Sequence, residues 1–145
     1  MSTLTIRTPA ATDAASLARL CSQLGYPATE QVMPARLERL SADDNTRALV
    51  AEGDGGLVGL LTVQVRHTLN HEAPIAQITL LVVDETHRGG GVGRALVTAA
   101  ETWAQARGAK RIVVTTALDR AGAHAFYEKV GFAHTGRRYG KDFPR

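Results

Sequence analysis

One stretch decides the fold of this chain: Arg88-Gly89-Gly90-Gly91-Val92-Gly93-Arg94-Ala95-Leu96. Four glycines fall within five positions, between an apolar run typical of a strand and a segment with the apolar periodicity of a helix. Glycines leave the backbone N–H groups of a loop uncovered, and the helix that follows adds unpaired N–H donors and a partial positive charge. The stretch therefore predicts a loop that binds phosphate oxygens at the N-terminus of a helix.

Two common phosphate-binding patterns do not fit this loop. A nucleoside triphosphate loop needs Gly, four residues and then Gly-Lys-Ser/Thr, and the sequence contains no such string. A dinucleotide fingerprint that starts at Gly91 finds its second glycine at Gly93, but its third small residue falls on Leu96 and its acidic residue near Arg111. The pyrophosphate of coenzyme A is the remaining candidate ligand.

Length and composition limit the class of protein. The 145 residues predict one domain, and the single cysteine excludes an internal disulfide and a cysteine-rich zinc site. A net charge of +3, with Lys and Arg scattered along the chain, does not predict nucleic-acid binding. The N-terminus has no secretory signal and no aliphatic run exceeds four residues, so we expect a cytoplasmic protein without membrane contact.

The apolar periodicity predicts a mixed sheet flanked by helices, in the α/β class. The predicted strands are at 4–6, 48–51 and 57–65 (a hairpin), 75–83, 110–116, from Phe132 onward and at 139–143. The predicted helices run from a cap at Thr12 or Asp13 to Leu24, over about 29–40, from Val92 to Gly108 and over about 123–130. Pro34 either weakens the second helix or marks its start.

A second motif follows the first at a distance: Phe126-Tyr127-Glu128-Lys129-Val130-Gly131-Phe132, an aromatic-Tyr pair followed by Gly-Phe. With both motifs at this spacing, the chain resembles the GNAT-superfamily N-acetyltransferases over nearly its whole length. Their signature is Arg or Gln, two residues, Gly, one residue and Gly or Ala after an apolar strand. The resemblance implies one acetyl-CoA-dependent domain over residues 1–145, with a mostly antiparallel twisted sheet flanked by about four helices.

The resemblance also implies which residues bind the cosubstrate. The backbone N–H groups of the loop hold the pyrophosphate, Arg88 and Arg94 add charged contacts, and the backbone of the preceding strand pairs with the pantetheine arm. The residues implied are Leu81, Val82, Val83, Arg88, Gly89, Gly90, Gly91, Val92, Gly93 and Arg94. Arg120 stands where the family often has Asn. Two roles are open for it: a contact to the coenzyme or to an acidic group of the substrate, or a solvated position without such a contact.

The implied reaction moves an acetyl group from acetyl-CoA directly to an amine, without a metal. Tyr127 occupies the family's position for the acid that protonates the leaving thiolate, and its alternative role is that of a core aromatic. The base is open, because Thr79 and Leu80 stand where many relatives carry Glu. Glu72, His71 and a chain of water molecules are the candidates.

The acceptor is expected to be a primary amine, on a small molecule rather than on a protein, because a compact domain has no additional recognition module. Family members often form dimers, so the resemblance also implies a homodimer. The alternative function is a non-catalytic acyl-CoA-binding or sensing module with the same fold. Its only support is the missing carboxylate on the strand before the glycine loop.

Overall fold

The computed structural model describes two stretches of the chain, residues 3–115 and 121–144. The chain divides into a first unit, Met1–Val113, and a second unit, Val114–Arg145. The strands are β1 (Thr5–Arg7), β2 (Thr46–Gly53), β3 (Gly56–Arg66), β4 (Ile75–Val83) and β5 (Arg111–Val114), and the helices are α1 (Ala14–Gln23), α2 (Met33–Ser41), α3 (Val92–Ala106) and α4 (Ala121–Lys129).

The strands form one sheet in the order β1-β2-β3-β4-β5. The three pairs from β1 to β4 are all antiparallel. The α/β class, the mostly antiparallel sheet and the number of helices predicted from the sequence are thus confirmed. The second predicted helix begins later than expected, at Met33, because Pro34 occupies the first turn of α2 and a short 3-10 turn precedes it.

The helices of the first unit pack on opposite faces of the sheet. Leu60 and Val82 lie in the buried cluster that includes the apolar face of α1. Gly59, the residue before Leu60, points the other way, because a Cβ there would meet α3. The sheet therefore fixes where α3 begins, and with it the glycine loop that precedes α3.

Gly59 is a point of close approach between β3 and α3. An added Cβ would lie 2.9 Å from both Val92 Cγ1 and Leu96 Cδ1, so α3 would have to shift. We expect Gly59→Ala to lower the free energy of unfolding by about 1–3 kcal/mol, as overpacking does in tight cores. Urea unfolding measures this, with Gly55→Ala as the matched control, because a Cβ at Gly55 meets nothing within 4 Å. Equal stability of the two variants would contradict the tight contact.

Asp13 connects β1 to α1 instead of capping the helix through its side chain. Its carboxylate accepts hydrogen bonds from Arg7 at 2.8 and 3.0 Å and from the Ala10 N–H at 2.7 Å. Arg7 also donates through Nε to Glu52 at 3.1 Å. This ion-pair cluster stabilises the junction of β1, β2 and α1, within the first unit.

The strands predicted from Phe132 onward and at 139–143 are wrong for the described part of the second unit. Residues 132–144 have no helix or strand there, and α4 is followed by Gly131 in the left-handed region at φ +102°. A strand needs a paired neighbour and one buried face. Tyr139 and Phe143 are each 87% exposed, so the apolar side chains that suggested strands are not buried.

Candidate functional site

The glycine loop lies between the end of β4 and the start of α3. A 3-10 turn at Glu85–His87 leads into it, and Gly91 is the residue that precedes the first turn of α3. Gly89 and Gly91 have φ values of +85° and +86°, in the left-handed region that side chains with a Cβ rarely adopt. The positive φ values explain why these two positions are glycine, and the backbone of the loop is left uncovered.

The first turn of α3 has features that favour an anion. The N–H groups of a helix's first turn have no partner within the helix, and no side chain caps this one. The first turn contains no acidic residue and instead carries Arg94, whose charge opposes the positive end of the helix dipole. A bound anion would satisfy the donors and offset that charge.

Arg88 adds a second positive charge to the loop. Its Nε donates to the Val83 carbonyl at 3.3 Å, which holds the guanidinium beside the end of β4. Together with Arg94 it flanks the glycines on both sides. The residues therefore fit a diphosphate, which needs several N–H donors and local positive charge.

The end of β4 brings the predicted pantetheine-binding residues to the loop. Leu81, Val82 and Val83 pair with β3 on one side, while β5 is the neighbour on the other side. Upstream, Thr79 is an extra residue in the pairing, because Thr62 lies opposite Leu80 and the next residue of β3 lies opposite Ile78. Such a bulge bends a strand and increases its twist.

A buried carboxylate, Asp84, joins the end of β4 to α1. It is 7% exposed, and its Oδ1 accepts hydrogen bonds from Arg19 at 2.6 Å and Gln23 at 2.8 Å. Its Oδ2 accepts from the Thr86 hydroxyl and pairs with His87 Nδ1 at 3.0 Å. This cluster was not predicted from the sequence. Its only sequence signals are an acidic residue after an apolar strand and two polar residues spaced i, i+4 on an apolar helix.

The hydrogen bonds to Asp84 make stability sensitive to acid. The Thr86 hydroxyl, then the Gln23 amide and the His87 ring, hold the pKa of this carboxyl far below its usual range. The unfolded chain takes up the proton near the ordinary pKa of about 3.9, so acidification favours unfolding. We expect the free energy of unfolding to begin to fall near pH 5 and to fall most steeply below about pH 4, continuing until the pH reaches the lowered pKa of the folded state. Asp84→Asn lacks the titrating group, so its free energy of unfolding, measured by urea titration at each pH, should fall less steeply with acidification than that of the wild type. Parallel plots of this free energy against pH for the two proteins would contradict the prediction.

The candidate bases from the sequence lie on the connection between β3 and β4. His71 and Glu72 are exposed there, and His71 Nδ1 lies 3.1 Å from the Thr68 hydroxyl. This connection joins the start of β4, whereas the glycine loop follows its end, roughly 27 Å away along the strand. Thr79 is hydrogen-bonded to Thr62 at 2.6 Å, in a pair of hydroxyls that cannot act as a base at neutral pH.

Tyr127 lies in the second unit, on α4. Its half-buried ring makes edge contacts with Phe126 and Phe132, at centroid distances of 5.4 and 5.7 Å. The two edge contacts fix the plane of the ring, as expected for aromatic pairs. Arg120, the remaining predicted coenzyme contact, lies outside the described residues.

The described residues, 3–115 and 121–144, contain no group of three His, Cys, Asp or Glu side chains placed as a metal ion would require. None of the helices described there is both long and apolar enough to span a bilayer.

Comparison with known proteins assigns the chain to a family. The sequence model of the family described as Acetyltransferase (GNAT) family matches residues 13–132. The chain belongs to this family. The resemblance seen in the two sequence motifs is confirmed, and as a GNAT-family protein the chain is an acyltransferase.

Two relatives and one solved structure show the range of similar proteins. Aminoglycoside N(6')-acetyltransferase type 1 of Stenotrophomonas maltophilia is 29% identical over 137 residues, covering 92% of this chain and 88% of the relative. Aminoalkylphosphonate N-acetyltransferase of Salmonella typhimurium is 30% identical over 122 residues, covering 84% and 77%. An aminoglycoside N-acetyltransferase solved in complex with CoA has a TM-score of 0.87 at 21% identity, covering 99% and 96%, which shows the shared fold.

Proposed function

We propose that this GNAT-family protein transfers an acetyl group from acetyl-CoA directly to the primary amine of a small molecule. One observation carries the proposal: the uncapped first turn of α3, preceded by two left-handed glycines and flanked by Arg88 and Arg94. This arrangement fits the pyrophosphate of coenzyme A. Acetyl-CoA supplies the acyl group as a thioester, which is activated for attack by an amine.

The protein's residues hold the cosubstrate along one line from β4 to α3. The N–H groups from Gly89 to Arg94 bind the pyrophosphate, and the two arginines add charge-assisted contacts. In this proposal β5 splays from β4 at this end, and the backbone of Leu81–Val83 pairs with the pantetheine arm in the gap as an added strand does. Arg120 adds a contact to the coenzyme in this proposal.

Direct transfer is supported by the position of the only cysteine. Cys21 lies in the buried cluster of α1, 9% exposed, and burial raises the pKa of its thiol. A buried neutral thiol is a poor nucleophile. The amine therefore attacks the thioester carbonyl itself, a new C–N bond forms, and the C–S bond breaks.

Each proton in this reaction needs a partner. A lysine-like amine has a pKa near 10.4, so only about 0.1% is neutral at pH 7.4 and a proton must be removed. A chain of water molecules takes this proton, since His71 and Glu72 lie on the connection at the far end of β4. A strand N–H near Val83 binds the oxyanion, and the Tyr127 hydroxyl protonates the leaving thiolate.

The small-molecule acceptor is supported by the names of the two relatives. One acetylates an aminoglycoside and the other an aminoalkylphosphonate, and this chain covers most of both proteins. A cytoplasmic location and a homodimer, both expected from the sequence and the family resemblance, stay predictions.

The test is acetyl transfer to a panel of amines. Purified protein is mixed with acetyl-CoA and an aminoglycoside, an aminoalkylphosphonate or a lysine-containing peptide, and thiol release is followed with the masses of the products. We expect a small-molecule product that has gained one acetyl group, with equal release of CoA. Coenzyme binding without turnover of any amine would instead favour the acyl-CoA-sensing module.

A further inference from the structure

The Asp84 carboxylate is shared between α1 and the segment that leads into the glycine loop. Oδ1 accepts hydrogen bonds from two residues of α1, Arg19 and Gln23. Oδ2 accepts a hydrogen bond from the Thr86 hydroxyl and pairs with the His87 ring, and His87 directly precedes the loop. One oxygen of the Asp84 carboxylate therefore binds α1, and the other binds the segment that leads into the glycine loop.

We propose that Asp84 is the positioning residue of the glycine loop: it holds the loop in its coenzyme-binding geometry by tying it to α1. This inference rests on the proposed function, because it assumes that the loop binds coenzyme. Asp84 acts through the loop and does not itself contact the coenzyme.

Backbone hydrogen bonds complete the junction. The Asp84 N–H donates to the Val58 carbonyl at 2.8 Å, and the His87 N–H donates to the Asp84 carbonyl at 2.8 Å. Gln23 is bonded twice, since its Oε1 also accepts from the Glu85 N–H at 3.0 Å. The turn before the loop is thus held from β3 and from the last residue of α1.

A glycine-rich loop needs such an anchor. Glycine loses more conformational freedom on ordering than any other residue, and the loop's glycines have no side chains with which to hold their own position. A loop that is already ordered avoids this cost when the ligand binds. The junction at Asp84 supplies that order from outside the loop.

The burial of Asp84 makes its contacts specific. A carboxylate that is 7% exposed costs free energy unless its oxygens are hydrogen-bonded, and this one has donors on both. Asparagine has nearly the same shape but only one acceptor oxygen. Asp84→Asn can therefore accept from α1 or from the turn, but not from both.

The experiment compares Asp84→Asn with Asp13→Asn. Both carboxylates bind an arginine and their side chains are similarly exposed, 10% and 12%, but Asp13 lies at the β1–α1 junction. Binding of CoA is measured by calorimetry, and hydrogen exchange of residues 85–94 is measured without ligand. Gln23→Ala, which removes one of the two α1 donors to Asp84 and also the acceptor of the Glu85 N–H, is the second variant in case Asp84→Asn folds poorly.

We expect Asp84→Asn to raise the Kd for CoA roughly tenfold, the effect of about 1.4 kcal/mol. Hydrogen exchange of residues 85–94 should be faster in the same variant. Gln23→Ala should raise the Kd for CoA and the exchange rate as well, each by a smaller factor. Asp13→Asn should lower the unfolding midpoint without either effect. The KM for acetyl-CoA should rise in Asp84→Asn while kcat at saturation stays near that of the wild type.

Two results would overturn the inference. One is a Kd and an exchange rate in Asp84→Asn equal to those of the wild type. The other is an equal change in Asp13→Asn, which would show general destabilisation. Failure of the wild type to bind CoA would instead refute the proposed function, and the exchange rates alone would then decide whether Asp84 orders the loop.

Discussion

Tyr127→Phe should lower kcat by roughly 10²-fold or more while leaving the Kd for acetyl-CoA within about twofold. The change removes only the hydroxyl proposed to protonate the leaving thiolate. The ring keeps its edge contacts with Phe126 and Phe132, at 5.4 and 5.7 Å, so the helix should pack as before. Steady-state kinetics by thiol release, together with calorimetry, separates turnover from binding.

Tyr139→Phe is the matched control for this prediction. It removes the same hydroxyl from a tyrosine in the same unit that is 87% exposed. Its kcat should equal that of the wild type. If Tyr127→Phe also turns over at the wild-type rate, Tyr127 is a packing aromatic and the acid is another group or solvent.

Gly91→Glu should abolish binding of acetyl-CoA. The residue has φ +86°, so any side chain with a Cβ costs roughly 1–2 kcal/mol there. The carboxylate adds negative charge at the start of α3, where the pyrophosphate is proposed to lie. Wild-type protein should melt at a higher temperature with acetyl-CoA present, since a ligand of the folded state stabilises it, and the variant should not.

Gly91→Asn separates backbone strain from charge in this experiment. Asparagine tolerates the left-handed region better than other side chains and carries no charge. We expect it to keep a reduced ligand-induced shift in Tm. A full wild-type shift in Gly91→Glu would show that the coenzyme does not use this loop.

The sequence was most informative where structure depends on neighbouring residues. The glycines between β4 and α3, the periodicity of α3 and the hairpin of β2 and β3 are all local patterns, and the structure contains each of them. Pro34 likewise marked the start of α2 through its own backbone restriction. Local patterns of this kind are visible without any knowledge of tertiary contacts.

The contacts that hold the candidate site were not visible in this way. Asp84 meets Gln23 and Arg19 across 61 and 65 residues of sequence, so no local pattern reports the bonds. Gly59 is a glycine inside a strand, which signals a close approach, but the helix it approaches is known only from the fold. Phe132 and the segment 139–143 were predicted as strands from their local sequence, yet strand pairing depends on a neighbour that the local sequence does not supply.

Calorimetric titration of the wild-type protein with acetyl-CoA tests the central claim most directly. We predict saturable binding of one molecule per chain, lost in Gly91→Glu, because the uncapped first turn of α3 and its two arginines are proposed to form the pyrophosphate site. Absence of binding heat from well-folded protein at several temperatures would contradict the claim. The glycine loop would then serve another anion, and the proposed acetyl transfer would have to be withdrawn.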